Sequence, residues 1–353
     1  MEEIRINRLP LLTYRYLHTN DTPLSFEEPK AGKQPVFSDM TYVEAGGRLP
    51  EAFRGCSEET VRAAEKGAVY TVVIPAGVKA RLSVTAETDA DNPDFRGAFL
   101  FRLEEGASLS LVWRIRGGAE KGTAVLAVYY ELAKDAALSS SLLNSGLSGT
   151  AVYDQRHVEC GENAKAEFYA AEIGGETAAV HSYGHLAGDR SSMEENIIYA
   201  AGGSQHLDLF CHIDQEGRKT AANINVNGAL DGKAKKIFRG TLNFLRGCGG
   251  GGGGGSVGDE GDYAIQLSPQ TKNVSLPLLL CTEDDVQGNH ASSSGQLDAN
   301  TLYFLMSRGF SLEEARRIMI ESMIRPVVDR MDESIREEVL AEIGRKLDAK
   351  ENQ

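Results

Sequence analysis

Cys281 and His290 stand nine residues apart on either side of an acidic, glycine-containing reversal, TEDDVQGN. Thiolate and neutral imidazole suit zinc, iron and iron–sulfur species, and the same pair can also form an activated nucleophile. If both flanks are extended, the reversal brings the two groups onto neighbouring strands. That leaves a soft-metal site and a Cys/His-dependent hydrolase both open. A cysteine behind Leu278, Leu279 and Leu280 also has the profile of a small buried hydrophobe. His290, following Gly288 and Asn289 in a polar turn, has the profile of an exposed residue.

The other histidines carry less. His181 and His185 have the four-residue spacing of a helical metal pair, but Gly184 and the alternating context place them in strand or loop. On HLDLFCHID, His206 and His212 share a face with Asp208 and Phe210 and read as surface residues, while Cys211 points the other way with Leu207, Leu209 and Ile213. No phosphate loop, G-x-G-x-x-G turn, G-x-S-x-G elbow or H-E-x-x-H helix occurs, so any nucleotide is expected on a partner.

The elements that must position these groups change character along the chain. Residues 1–66 carry prolines at positions 10, 23, 29, 35 and 50 and read as an irregular lead-in with one helical fragment, Ser57 to Lys66, opened by a partial capping-box match. Residues 67–295 alternate apolar and polar residues in short segments, the pattern of strands with one face buried. Their breaks (PAGVK, EEGAS, AKDAA, CGENAK, QEGRK, LDGKAK) recur every ~20 residues, a cadence of stacked turns. Hairpin dipeptides are crowded at Asn227-Gly228 and Asp231-Gly232 instead of being spread along the chain, which favours a parallel β-helix over a sandwich. Seven consecutive glycines, Gly249 to Gly255, predict a flexible loop over 247–261, and no chemistry is assigned to Cys248.

Residues 296–353 read as helices. LDANTLYFLMSRG stops at Gly309, and Ser311 with Glu314 caps the next helix, whose apolar stripe is Leu312, Ala315, Ile318, Met319 and Met323 up to an interruption at Pro326. Ile335, Val339, Ile343 and Leu347 mark a third helix. These stripes pack against one another or receive a partner.

Composition bounds the function classes. A formal charge of −14 argues against nucleic acid and anionic membrane as partners, and no apolar run approaches the ~20 residues of a transmembrane helix. The five cysteines form no C-x-x-C pair, which disfavours a zinc ribbon or a disulfide framework. The acidic start MEEIRINRLPLL lacks signal-peptide character, so a cytoplasmic location is expected. A carbohydrate-active β-helix fits poorly with a single Trp and no signal peptide.

Two blocks, NGALDGKAKKIFRGTLNF (227–244) and GNHASSSGQLDANTLYFLMSRGFSLEEARRIMI (288–320), resemble the closing blocks of the SufB/SufD family, scaffold subunits of the SUF iron–sulfur cluster assembly machine. His290-Ala291-Ser292, Leu297-Asp298 and Tyr303-Phe304-Leu305 with Ser307-Arg308-Gly309 carry the likeness. The resemblance implies a mainly β chain, a right-handed parallel β-helix with two long strands per turn and a helical C-terminal region. It implies no enzymatic activity of its own, a transient iron–sulfur cluster or iron at a subunit interface, and ATP only through a SufC-like ATPase. The second subunit would be SufB-like or a second copy of this chain. His290 at the family's His-or-Glu position places the chain nearer the SufD branch, and Asp262 stands near the position where SufB-type subunits carry a sulfur-transfer cysteine. On this reading His290 and Cys281 are the cluster or metal residues. Leu302, Phe304, Leu305, Arg308, Leu312, Ala315, Ile318 and Met319 would dock the ATPase.

Overall fold

The computed structural model describes residues 2–348 apart from 14, 119, 147, 148, 252 and 253. The lead-in holds more strand than its prolines suggest: β1 (Glu2–Ile6) and β2 (Thr22–Phe26) form an antiparallel hairpin, followed by β3 (Val36–Phe37), β4 (Val43–Ala45) and helix α1 (Glu58–Glu65). Ser57 caps α1 and the box is closed by the Thr60 side chain, which satisfies two of the amides a helix start leaves unpaired.

Sixteen strands follow in succession: β5 (Ala68–Ile74), β6 (Lys79–Thr88), β7 (Phe95–Leu103), β8 (Ser108–Gly117), β9 (Gly122–Leu132), β10 (Ala137–Ser145), β11 (Thr150–Cys160), β12 (Lys165–Glu172), β13 (Thr177–Leu186), β14 (Ser192–Ala201), β15 (His206–Gln215), β16 (Ala221–Leu230), β17 (Lys235–Phe244), β18 (Val257–Gln266), β19 (Lys272–Cys281) and β20 (Gln287–Gly295). From β5 onward, odd-numbered strands pair in parallel in one sheet and even-numbered strands in the other; β4 and β3 cap the two sheets as antiparallel edges. The result is a parallel β-solenoid of about eight turns with two strands per turn. The expected cadence of about 20 residues is corrected: side chains bridging adjacent coils are 28 or 29 residues apart, as in Asn144–Glu172 and Asp189–Arg218. PAGVK, EEGAS, AKDAA, CGENAK and QEGRK are the same corner on different coils, whereas LDGKAK is the other corner, and counting it with them shortens the apparent spacing.

One corner recurs in the left-handed backbone region, at Gly106 (φ 66°), Asp135 (58°) and Asn163 (56°). Asn and Asp tolerate this conformation better than other side-chain-bearing residues. Each corner amide is met by the next coil's carbonyl, as from Gly106 N to Lys134 O at 2.9 Å. Between corners, alternate residues face inward, and Phe99, Phe101, Trp113 and Tyr130 interlock there at edge and stacked angles. Each fully buried aromatic contributes roughly 1.5–3 kcal/mol. The glycine-rich stretch lengthens its coil, so that separations rise to 36 at Thr220–Ser256 and 38 at Thr282–Phe244. The loop is shorter than expected, because strand β18 begins at Val257; Cys248 is buried in the core, and positions 252 and 253 lie outside the described residues.

Both outer faces are covered. On the odd-numbered sheet, Ile4, Ile6, Phe26 and α1 residues Ala63 and Ala64 pack on Ala98, Ala127 and Ala179, whose small side chains allow close approach. On the even-numbered sheet lie α3 (Leu312–Val328) and α4 (Glu333–Asp348), which follow α2 (Ala299–Ser307). Ile335, Val339 and Ile343 of α4 are buried there with Val112, Leu143, Tyr169 and Ile198. The stripe expected on α3 is corrected: the buried face is Ala315, Ile320, Ile324, Val327 and Val328, while Leu312 and Met319 are half-buried and Ile318 exposed. Pro326 does not break the helix, which runs two residues beyond it. Among the described residues no helix is long and apolar enough to cross a membrane.

Candidate functional site at the open end of the solenoid

Among the described residues the solenoid ends on β19 and β20, each the last strand of its sheet, with no coil stacked above them. His290 is paired in register with Glu260 one coil below. Residues in parallel register share a face, and two side-chain bonds fix which face is which. Asn289 Nδ2 donates to the outward Asp259 at 2.9 Å, and Ser294 Oγ donates at 3.1 Å to Gln266, which follows the inward Ala264 by two. His290 therefore belongs to the inward-facing set, yet it is exposed because none of the described residues roofs it. Cys281 is exposed as well, which corrects the buried-hydrophobe expectation; its thiol donates to Glu283 O at 2.9 Å.

The reversal does not put the two groups on hydrogen-bonded neighbouring strands, because β19 and β20 belong to different sheets of one coil. A Cβ on Gly288 would lie 2.8 Å from Leu279 Cδ1, so Gly288 faces Leu279. One coil below, a Cβ on Gly240 would collide with the Glu260 carboxylate; the same stacking sets His290 opposite Pro277, the register partner of Gly240. Cys281 lies four residues further along β19, about 13 Å at ~3.3 Å per residue.

Beneath this end the interior is unexpectedly polar, which the sequence reading missed. Glu260 is 4% exposed and neither of its carboxylate oxygens has a hydrogen-bond partner; burial, with the Asp262 charge, pushes it up to about 8. Asp262 pairs with Lys236, whose ammonium burial pushes down. Deeper, Arg156 Nη1 meets Glu195 at 2.8 Å and Arg156 Nε lies 3.2 Å from Asp154, while Ser182 Oγ donates to Glu195 at 2.7 Å. The available signal was parity: in VGDEGDYAIQ, Glu260 and Asp262 occupy the same alternate positions as Gly258 and Ala264.

Five of the remaining histidines, His157, His181, His185, His206 and His212, gather on the outer face of the odd-numbered sheet. His212 is 6% exposed and His206 half-buried, so neither is the surface residue expected; the lead-in, which the strand pattern alone does not place, lies over this face, with Asn7 and Thr22 on Asp208 and Arg54 on Tyr183 and Asp214. His212 Nε2 meets Asp214 at 2.7 Å, and Tyr183 donates to the same carboxylate at 2.6 Å. Burial tends to raise Asp214, but these bonds and one from Asn243 hold it well below the usual carboxylate range. His181 is buried and neutral, lowered to about 3 by burial. Arg54 N donates to His157 Nδ1 at 3.0 Å, which leaves the proton on Nε2, facing Glu159 at 2.7 Å. His185 lies between Glu159 (2.8 Å) and Glu216 (2.7 Å) and is raised to about 9, first by the Glu159 bond and against burial. Because the folded value exceeds the unfolded ~6.5, this stability is fully present below pH ~6.5 and is lost as pH rises through about 9. His185→Gln is expected to flatten the decline of the urea midpoint between pH 6.5 and 9.5, by at most about 1.4 kcal/mol per pH unit and less with solvent screening. Identical slopes would refute the coupling.

Among the described residues no group of three or more His, Cys, Asp or Glu is arranged to hold a metal ion. Helix α2, just beyond the open coil, has no buried residue: Tyr303 is 76% and Phe304 54% exposed, with Met306 and Phe310 beside them, and the Arg308 guanidinium lies 5.1 Å from the Phe304 ring centre. Leu302 and Leu305 are half-buried. Ala315 is fully buried, which corrects its assignment to a docking face.

The model of the SUF system FeS cluster assembly SufBD core domain matches residues 85–323, more than half of the chain. The chain belongs to the SufBD core family. Among relatives of the SufBD chain, the iron-sulfur cluster assembly protein SufD of Bacillus subtilis is 27% identical over 206 residues, 58% of this chain and 46% of that protein. A SufBD family protein of Mycobacterium leprae is 24% identical over 200 residues, 54% of this chain and 50% of its own length. One of Mycobacterium tuberculosis is 22% identical over 334 residues, 92% and 78% of the two chains. The SufBD chain thus spans about half the length of the first of these relatives. The family is the one expected from the closing blocks of the sequence.

Proposed function

We propose that this chain is a non-enzymatic, cytoplasmic scaffold subunit that presents His290 at an interface where iron–sulfur clusters form. The observation that carries this reading is the open last coil. It leaves an unroofed imidazole on the inward face, between two strand edges that have no further strand to pair with. Unpaired edges are templates for another chain. Since this chain gathers no group of three ligands among its described residues, an iron bound at His290 completes its shell from substrate and from a facing subunit, SufB-like or a second copy. The reading keeps Cys281 as a thiol at the rim of the same coil, displaced along β19. That displacement disfavours a Cys/His hydrolase, whose two groups need hydrogen-bond contact.

A SufC-like ATPase docks on α2 and the adjoining turn of α3, through Tyr303, Phe304, Arg308, Leu312, Ile318 and Met319, with Leu302 and Leu305 supporting them. ATP acts only through that partner. A contiguous exposed apolar face of this kind marks an interaction site, and α2 contributes nothing to the core that a partner would have to displace. Phe304→Glu with Ile318→Glu is expected to weaken ATPase capture by a hundredfold or more while changing unfolding stability by less than about 0.5 kcal/mol. Pull-down of the ATPase with wild-type and variant chains of matched melting temperature tests it. Undiminished capture would place docking elsewhere.

A further inference from the structure

We propose that the Glu260 carboxylate is a second protein ligand for the divalent cation held by His290, so that the site reaches one coil into the solenoid. The inference rests on the His290 reading above and adds a residue to it. Glu260 and His290 are in-register partners on β18 and β20 and share the inward face. Neighbouring strands lie ~4.8 Å apart. A first-row divalent ion sits ~2.0–2.2 Å from imidazole nitrogen and from carboxylate oxygen, so one ion fits between two such side chains.

Three features single out Glu260. Both of its oxygens lack hydrogen-bond partners, although a buried carboxylate ordinarily finds one. Its neighbour Asp262 spends its charge on Lys236, and among the described residues no cation pairs with Glu260. On the opposite sheet, Gly240 leaves the volume the carboxylate fills, and any side chain there would drive it out. A buried acid with space, no partner and an unroofed imidazole on the next rung is a half-built ligand pair. Imidazole with carboxylate suits borderline ions such as Fe(II), Co(II) and Zn(II), and the open end leaves the other positions to sulfide or to a facing subunit.

The test is anaerobic Co(II) titration of the full chain, read by the visible d–d bands and by affinity, for wild type, Glu260→Gln, Glu260→Asp and His290→Ala. Glu260→Gln keeps the shape and hydrogen-bonding size of the side chain, and matched melting curves certify the fold. The expected result is a ten- to hundredfold loss of Co(II) affinity with altered bands in Glu260→Gln, an intermediate loss in Glu260→Asp, and abolished binding in His290→Ala. Unchanged affinity and bands in Glu260→Gln, with binding abolished in His290→Ala, would overturn this inference and leave the reading of His290 standing. Unchanged binding in His290→Ala would overturn both.

Discussion

His290→Ala is expected to abolish cluster assembly in a reconstituted complex while leaving the melting temperature of the chain within about a degree of wild type. The imidazole is exposed on the last rung and makes no hydrogen bond among the described residues, so its loss removes nothing the fold uses. Substitutions at such positions usually stay within ±0.5 kcal/mol. Loss of a nitrogen ligand from an incomplete site is another matter, since the described residues gather no group of three ligands that could hold the ion without it. The measurement is the growth of charge-transfer absorbance on adding iron and a sulfide source, in parallel with a thermal melt. Assembly at the wild-type rate would remove His290 from the chemistry.

The largest stability effect is expected at Arg239, which is fully buried on the outer face of β17. Its Nη1 meets Asp208 Oδ1 at 2.6 Å, Nη2 donates to Thr22 Oγ1 at 2.8 Å, and Nε donates to Thr19 O at 2.9 Å. Asp208 also takes Asn7 Nδ2 at 2.8 Å and the Thr22 hydroxyl. One ion pair thus joins two coils to the N-terminal hairpin. Arg239→Ala strands a buried anion, and breaking such a pair costs roughly 3–5 kcal/mol, a large share of the ~5–15 kcal/mol that holds a typical domain. Replacing both partners, Arg239→Leu with Asp208→Leu, should recover most of that loss, because the apolar pair leaves no uncompensated charge. Urea unfolding of the wild type and the two variants decides it. A cost below about 1 kcal/mol for Arg239→Ala would mean that Asp208 finds other partners or water.

Much of the architecture was legible because a strand's period of two is written in every segment: Leu207, Leu209, Cys211 and Ile213 declare an inward face without reference to any other coil. Caps are equally local, so Ser57 and Ser311 mark helix starts on their own. The closing blocks carried the family. What lies 28 to 38 residues away is different. Which side chain stands beneath His290 depends on the lengths of the corners between β18 and β19 and between β19 and β20, which together set the register that pairs it with Glu260. No local pattern could report that Glu260 ends up orphaned there.

The helical tail shows the same division. Sequence established that α3 is an amphipathic helix with a capped start, but its apolar residues cover two arcs. Only contact with the even-numbered sheet decided that Ile324, Val327 and Val328 are spent on the core while Ile318 stays outside. Periodicity fixes which residues of one element lie together, since it follows from bond geometry; which surface they meet is settled by the fit of whole elements, a property no single segment contains.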